Sequence, residues 1–144
     1  MQYLIKKASF LIFILSLVSF NLSASPTQIF NNNVEGVVMV MTEKGLGSGT
    51  IISEKGYVLT NWHVIKDAKD ITVCVYGMSS FEECIFEVIQ IKVNPLIDLA
   101  LLKIINPPKK LKPIKISIVI AKTGSKVHAI GHPEGEIWTY TQGY

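Results

Sequence analysis

Two residues in this sequence carry the means for proton-transfer chemistry. His63 lies within Thr60-Asn61-Trp62-His63-Val64, and Asp98 opens the run Asp98-Leu99-Ala100-Leu101-Leu102. An imidazole has an ordinary pKa of roughly 6.5, so it takes and returns a proton near neutral pH. It needs a partner on its other ring nitrogen, which fixes the tautomer and stabilises the cation. A carboxylate just ahead of an apolar strand can be held with little solvent and suits that task. The two residues stand 35 positions apart, so only the fold can join them. Without its flanking residues His63 reads better as a packing histidine, and Asp98 has a plain alternative as a strand-entry turn residue.

The other reactive residues form weaker patterns. Cys74 and Cys84 flank the loop Gly77-Met78-Ser79-Ser80-Phe81. They fit a disulfide clamping a hairpin or two free thiols; a metal pair fits less well, because no CxxC or paired-histidine spacing accompanies them. His128 and His132 are four apart, a spacing that suits metal ligands on a helix, but here they straddle Ala129-Ile130-Gly131 in a strand-to-turn setting. The run Gly45-Leu46-Gly47-Ser48-Gly49 lacks the lysine and threonine of a phosphate loop and reads as a turn that lets the backbone pass close to a neighbour. Ser48 precedes His63, and Thr50 stands where a nucleophile elbow needs glycine. No cofactor and no metal is expected.

The elements that must position these residues read mostly as strands. Val37 to Met41, Thr50 to Ile52, Tyr57 to Thr60 and Leu99 to Ile105 are short apolar runs. Ser53-Glu54-Lys55-Gly56 joins two of them, with glycine where a hairpin needs positive φ. Ile71, Val73 and Val75 alternate with Thr72, Cys74 and Tyr76, which puts Cys74 on the face away from the apolar side chains. Ile85, Ile89, Ile91 and Val93 are expected to share one face of the next strand. Val127 to Ile130 and Trp138 to Thr141 look like two more. Outside the first segment no helical repeat stands out, except for a short turn at His63-Val64-Ile65. Many short strands separated by turn signals argue for a barrel or sandwich. Asn106 to Pro113 holds three prolines and three lysines and reads as a connector.

Composition narrows the function classes. In 144 residues, 49% are hydrophobic and 17% charged, which excludes a disordered polyampholyte. The formal charge is +3, but Lys6 and Lys7 lie in the first seven residues, and residues 25–144 hold 12 lysines against 11 acids. With no arginine and no basic cluster beyond Lys109, Lys110 and Lys112, a nucleic-acid partner is not expected. The two early lysines, the apolar run Ala8 to Phe20 and the small residue Ala24 make the three-part pattern of a cleavable export signal. The apolar run falls short of the roughly 20 residues that span a bilayer. The alternative is an uncleaved membrane anchor. An exported chain, periplasmic or secreted, makes the disulfide reading of Cys74 and Cys84 reasonable.

Taken together and in order, Gly47-Ser48-Gly49-Thr50-Ile51-Ile52, Tyr57 to Ile65, Asn94 to Leu102 and Ala129-Ile130-Gly131-His132-Pro133-Glu134-Gly135 resemble the trypsin-like serine proteases, most closely their bacterial HtrA-type branch. The resemblance covers roughly residues 34–144. It implies an all-β fold, a trypsin-like double β-barrel, with the first barrel complete and the second cut short. It implies that His63 is the general base and Asp98 the residue that orients it, acting on protein or peptide substrates. The expected division is an export signal at 1–24, a linker at 25–33, the first barrel at 34–106, a connector at 107–120 and the start of a second barrel at 121–144. The family's serine sits in a Gly-x-Ser-Gly-Gly segment, and these 144 residues contain none. The chain as written is therefore expected to be an inactive fragment. A non-catalytic, peptide-binding or scaffolding relative is the alternative. His132 stands where the family often has asparagine and is given no catalytic role.

Overall fold

The computed structural model describes residues 24–144. The export signal expected at 1–24 lies, but for Ala24, outside the described residues. Among the described residues no helix is long and apolar enough to cross a membrane.

The chain opens with helix α1, Pro26–Asn33. No helix is expected outside the first segment, and the difference has a local cause. Ser25 Oγ accepts the Gln28 N–H at 3.2 Å, and Gln28 Oε1 accepts the Ser25 N–H at 2.8 Å, a reciprocal capping box with Pro26 in the first turn. The helix buries none of its residues, so it leaves no apolar stripe to read. A 3-10 turn, Val34–Gly36, leads into the sheet.

Six antiparallel strands then close into a barrel: β1 (Val37–Thr42), β2 (Gly45–Ile51), β3 (Tyr57–Thr60), β4 (Ile71–Val75), β5 (Ile85–Asn94) and β6 (Leu99–Ile104). Around the barrel the order is β1-β2-β3-β6-β5-β4. Closure leaves no unpaired edge. Alternation fills the interior: Val38 and Val40 from β1, Val58 from β3, Val73 and Val75 from β4, and Ala100, Leu102 and Ile104 from β6 point inward with Ile51. Ile65 and Leu111 pack against them from outside the strands. The bore is narrow. A Cβ on Gly49 would lie 2.9 Å from methyls of both Val40 and Val58.

Two expectations about strands are corrected. The run Gly45–Gly49 is part of strand β2 rather than a turn, although its glycines do permit close approach. On β5, Ile85, Ile89, Ile91 and Val93 do not share a face. Register shifts between Gln90 and Lys92, and this irregularity breaks the two-residue period. Phe86 and Val88 pack on the core before it and Val93 after it, while Ile89 and Ile91 are exposed.

Cys74 does point out of the barrel, as its alternation requires, but not to water. It is buried with Met39 and Cys84 in a second small cluster, and its sulfur is bonded to that of Cys84. Between them run the loop and a short helix, α3 (Phe81–Cys84), capped by Ser80.

After Ile104 the chain runs without regular structure to Lys126. Leu111 tucks into the barrel core, and the Ile114 N–H donates to Ile51 O at 2.8 Å. Strands β7 (Val127–Gly131) and β8 (Thr139–Gly143) form a separate two-stranded antiparallel sheet. Trp138, just ahead of β8, packs on the Met39–Cys74–Cys84 cluster and donates its indole N–H to Val37 O at 3.2 Å.

Candidate active site

His63 lies on helix α2, Trp62–Ile65, directly after β3. Two features seat this single turn. Ile65 is buried in the barrel core, and Val64 lies over Gly47, where a Cβ would come within 2.7 Å of a valine methyl. Glycine at 47 therefore lets the turn settle directly on β2.

Asp98 lies between a 3-10 turn, Pro95–Ile97, and the first residue of β6. Its backbone is left-handed, with φ 51° and ψ 47°, a conformation that side-chain-bearing residues seldom adopt. Because β6 pairs with β3, with Ala100 opposite Thr60, the start of β6 and the end of β3 are neighbours. That pairing spans the 35 positions between the two residues. His63 Nδ1 and Asp98 Oδ2 are 2.6 Å apart, and Asp98 Oδ1 accepts the His63 backbone N–H at 2.9 Å.

The aspartate is thus held from several sides. Its carboxyl lies below the usual carboxylate range, first because it accepts the His63 backbone N–H, then because it bonds the His63 ring, with Asn61 adding a further bond. An ionised carboxylate on Nδ1 selects the tautomer with the proton there. Nε2 is then the nitrogen left to exchange a proton with a nucleophile. The site is open: the side chains of His63 and Asp98 are 68% and 41% exposed.

The remaining candidates have structural surroundings. Ser48 Oγ accepts the His132 backbone N–H at 2.8 Å and so ties β2 to the end of β7. His132 is buried, its ring set edge-to-face against Trp138 at 5.0 Å, and burial pushes its pKa down. His128 Nδ1 lies 2.6 Å from the Tyr140 hydroxyl. Among the described residues no group of three histidine, cysteine, aspartate or glutamate side chains is placed to hold a metal. Trp62 carries the Lys66 ammonium over its ring at 5.1 Å. Sequence reasoning missed Asn61, although it stands inside the same short motif as His63. Its amide reaches Asp98, and nothing in linear order signals that.

A closed six-stranded antiparallel barrel with a small second sheet fastened alongside is the fold of a trypsin-like double-barrel fragment. The sequence matches the trypsin-like peptidase domain family over residues 47–144. It is 39% identical over 99 residues to the serine endoprotease DegS of Escherichia coli strain K12, covering 68% of this chain and 26% of that one. It is 43% identical over 101 residues to a probable periplasmic serine endoprotease, DegP-like, of Pseudomonas fluorescens, covering 69% and 20%. A serine endoprotease structure from Yersinia pestis superposes with a TM-score of 0.71 at 37% identity, covering 85% of this chain and 44% of that one. The chain belongs to the trypsin-like peptidase family, and its relatives are serine endoproteases of the Deg/HtrA type. It spans about a quarter or less of the length of these curated relatives.

Proposed function

We propose that these residues are the base-and-acid half of an exported serine endopeptidase acting on protein substrates. His63 is the general base and Asp98 orients it. In this reading His63 Nε2 accepts the proton of an attacking serine hydroxyl as the Oγ–carbonyl bond forms, and it returns that proton to the leaving amine as the peptide bond breaks. Asp98 stays ionised throughout and stabilises the imidazolium. The observation that carries the reading is the 2.6 Å contact between His63 Nδ1 and Asp98 Oδ2, with the His63 backbone N–H donating to the same carboxylate.

The nucleophile is not among the 144 residues, since no Gly-x-Ser-Gly-Gly segment occurs in them. Loss of one member of such a trio can lower kcat on the order of a millionfold. The 144-residue chain by itself therefore does not hydrolyse peptides. Export to the periplasm or beyond is supported by the charged and apolar pattern of residues 1–24 and by the similarity to a probable periplasmic DegP-like endoprotease. In this reading the chain divides at 34–106, 107–120 and 121–144, supported by a closed barrel that ends at Ile104 and a separate sheet that begins at Val127.

The coding sequence beyond codon 144, read in all three frames, tests this. A Gly-x-Ser-Gly-Gly segment there, and casein hydrolysis by the longer product but not by its His63→Ala variant, is the expected result. Hydrolysis that survives His63→Ala would overturn it.

A further inference from the structure

Asn61 is the N-cap residue of α2, a position where asparagine is favoured because its side chain accepts a helix N–H. Here it makes no such bond. The open N–H groups of the turn are taken by Asp98 instead: the Trp62 N–H donates to Asp98 O at 3.2 Å, and the His63 N–H to Asp98 Oδ1 at 2.9 Å. A residue remote in sequence thus does the capping. The Asn61 amide, released from that task, donates to Asp98 twice, to the backbone carbonyl at 3.1 Å and to Oδ2 at 3.2 Å.

Both ends of this arrangement need holding. Asp98 sits in the left-handed region without being glycine, a strained state that persists only where surrounding bonds impose it. Its carboxylate is partly open to water and can rotate, and rotation would withdraw Oδ2 from the imidazole. A single amide bonded to both the carbonyl and Oδ2 opposes either movement. It also leaves Oδ1 for the His63 N–H. Neither a serine nor an alanine at 61 could span the two oxygens.

We propose that Asn61 is a positioning residue, tethering the backbone and the carboxylate of Asp98 so that Oδ2 stays directed at His63. The proposal rests on the reading of His63 and Asp98 as base and orienting acid. The plainer role is that of a residue serving only the start of α2.

Two substitutions in the 144-residue chain separate these roles. Asn61→Ala removes the tether. Asn61→Ser removes the tether but leaves a favoured N-cap residue type, whose oxygen could make the cap that Asn61 itself does not. The readout is the Asp98 carboxyl titration, followed by 13C NMR, with thermal unfolding on the same samples. The tether predicts that the Asp98 midpoint moves upward in both variants, because a bond favouring the ionised form is lost. It also predicts that Asn61→Ser melts close to the parent. An unmoved Asp98 midpoint in both variants, whatever the melting temperature, overturns the proposal. The His63 ring tautomer in Asp98→Ala distinguishes this failure from failure of the parent reading. If Asp98→Ala alters the tautomer while the Asn61 variants leave Asp98 untouched, the pair stands and only the tether falls.

Discussion

The barrel of β1–β6 and the sheet of β7 and β8 are made of similar residues but hold together differently. In the barrel every strand has two partners, and Val38, Val40, Val58, Val73, Leu102 and Ile104 are wholly buried. In the β7–β8 sheet each strand has one partner, and neither strand holds a buried residue. That sheet is fastened at points: His132 N–H to Ser48 Oγ, and Trp138 to Val37 O and the disulfide cluster. The candidate base and acid lie on the closed unit. Closure explains how residues 35 positions apart hold a 2.6 Å contact while both remain open to solvent.

Truncation of a core side chain should separate the two regions most. Leu102→Ala leaves a cavity in a closed bore and is expected to destabilise by about 2–5 kcal/mol. Val127→Ala on half-exposed β7 should stay within about 0.5 kcal/mol. Equal losses in denaturant melts would break the contrast. Replacing both cysteines by serine should cost about 2–3 kcal/mol, from the short loop the bond closes. Because Trp138 rests on that cluster, amide exchange in 127–143 should accelerate as well as exchange in β4 and β5. Trp138→Ala should raise exchange in β7 and β8 by roughly tenfold while the barrel amides hold, since local units open independently. Loss of protection in both regions together would show one cooperative unit.

The smallest effect is on pH dependence, and its sign is the same in both regions. His132 has its pKa lowered by burial from an ordinary 6.5, so the unfolded chain binds its proton first. Its contribution is full above that value and is lost as pH falls through the lower folded value. Asp98 is likewise lowered, from 3.8, so its contribution is present above that value and lost only in stronger acid. Acid titration should therefore loosen β7–β8 before the His63–Asp98 rim. Both regions loosening in one step, or the rim first, would contradict this order.

What the sequence reveals follows the same divide. On β4 the alternation of Ile71, Val73 and Val75 with Thr72 and Cys74 tracks the barrel wall, so inward and outward faces can be read residue by residue. By contrast, β6 reads only as an apolar run, because Leu99 and Leu101 on its outer face are as apolar as Ala100 and Leu102 within. On β5 the irregularity near Ile91 shifts the phase, and no composition signal marks it. The α1 capping box was present in Ser25-Pro26-Thr27-Gln28, but a helix that buries nothing offers no periodicity to support it. His63 and Asp98 stand out because their flanking residues form recognisable motifs. Asn61 and the Ser48–His132 tie do not, because their roles depend on partners 37 and 84 positions away.

The ring nitrogens of His63 offer the most direct test of the central claim. Long-range 15N–1H correlation spectra of the 144-residue chain above neutral pH report which nitrogen carries the proton. An ionised Asp98 on Nδ1 predicts the Nδ1–H tautomer in the parent chain and a return to the Nε2–H form in Asp98→Ala. Predominant Nε2–H in both proteins would contradict the pairing and, with it, the assignment of these two residues as base and orienting acid.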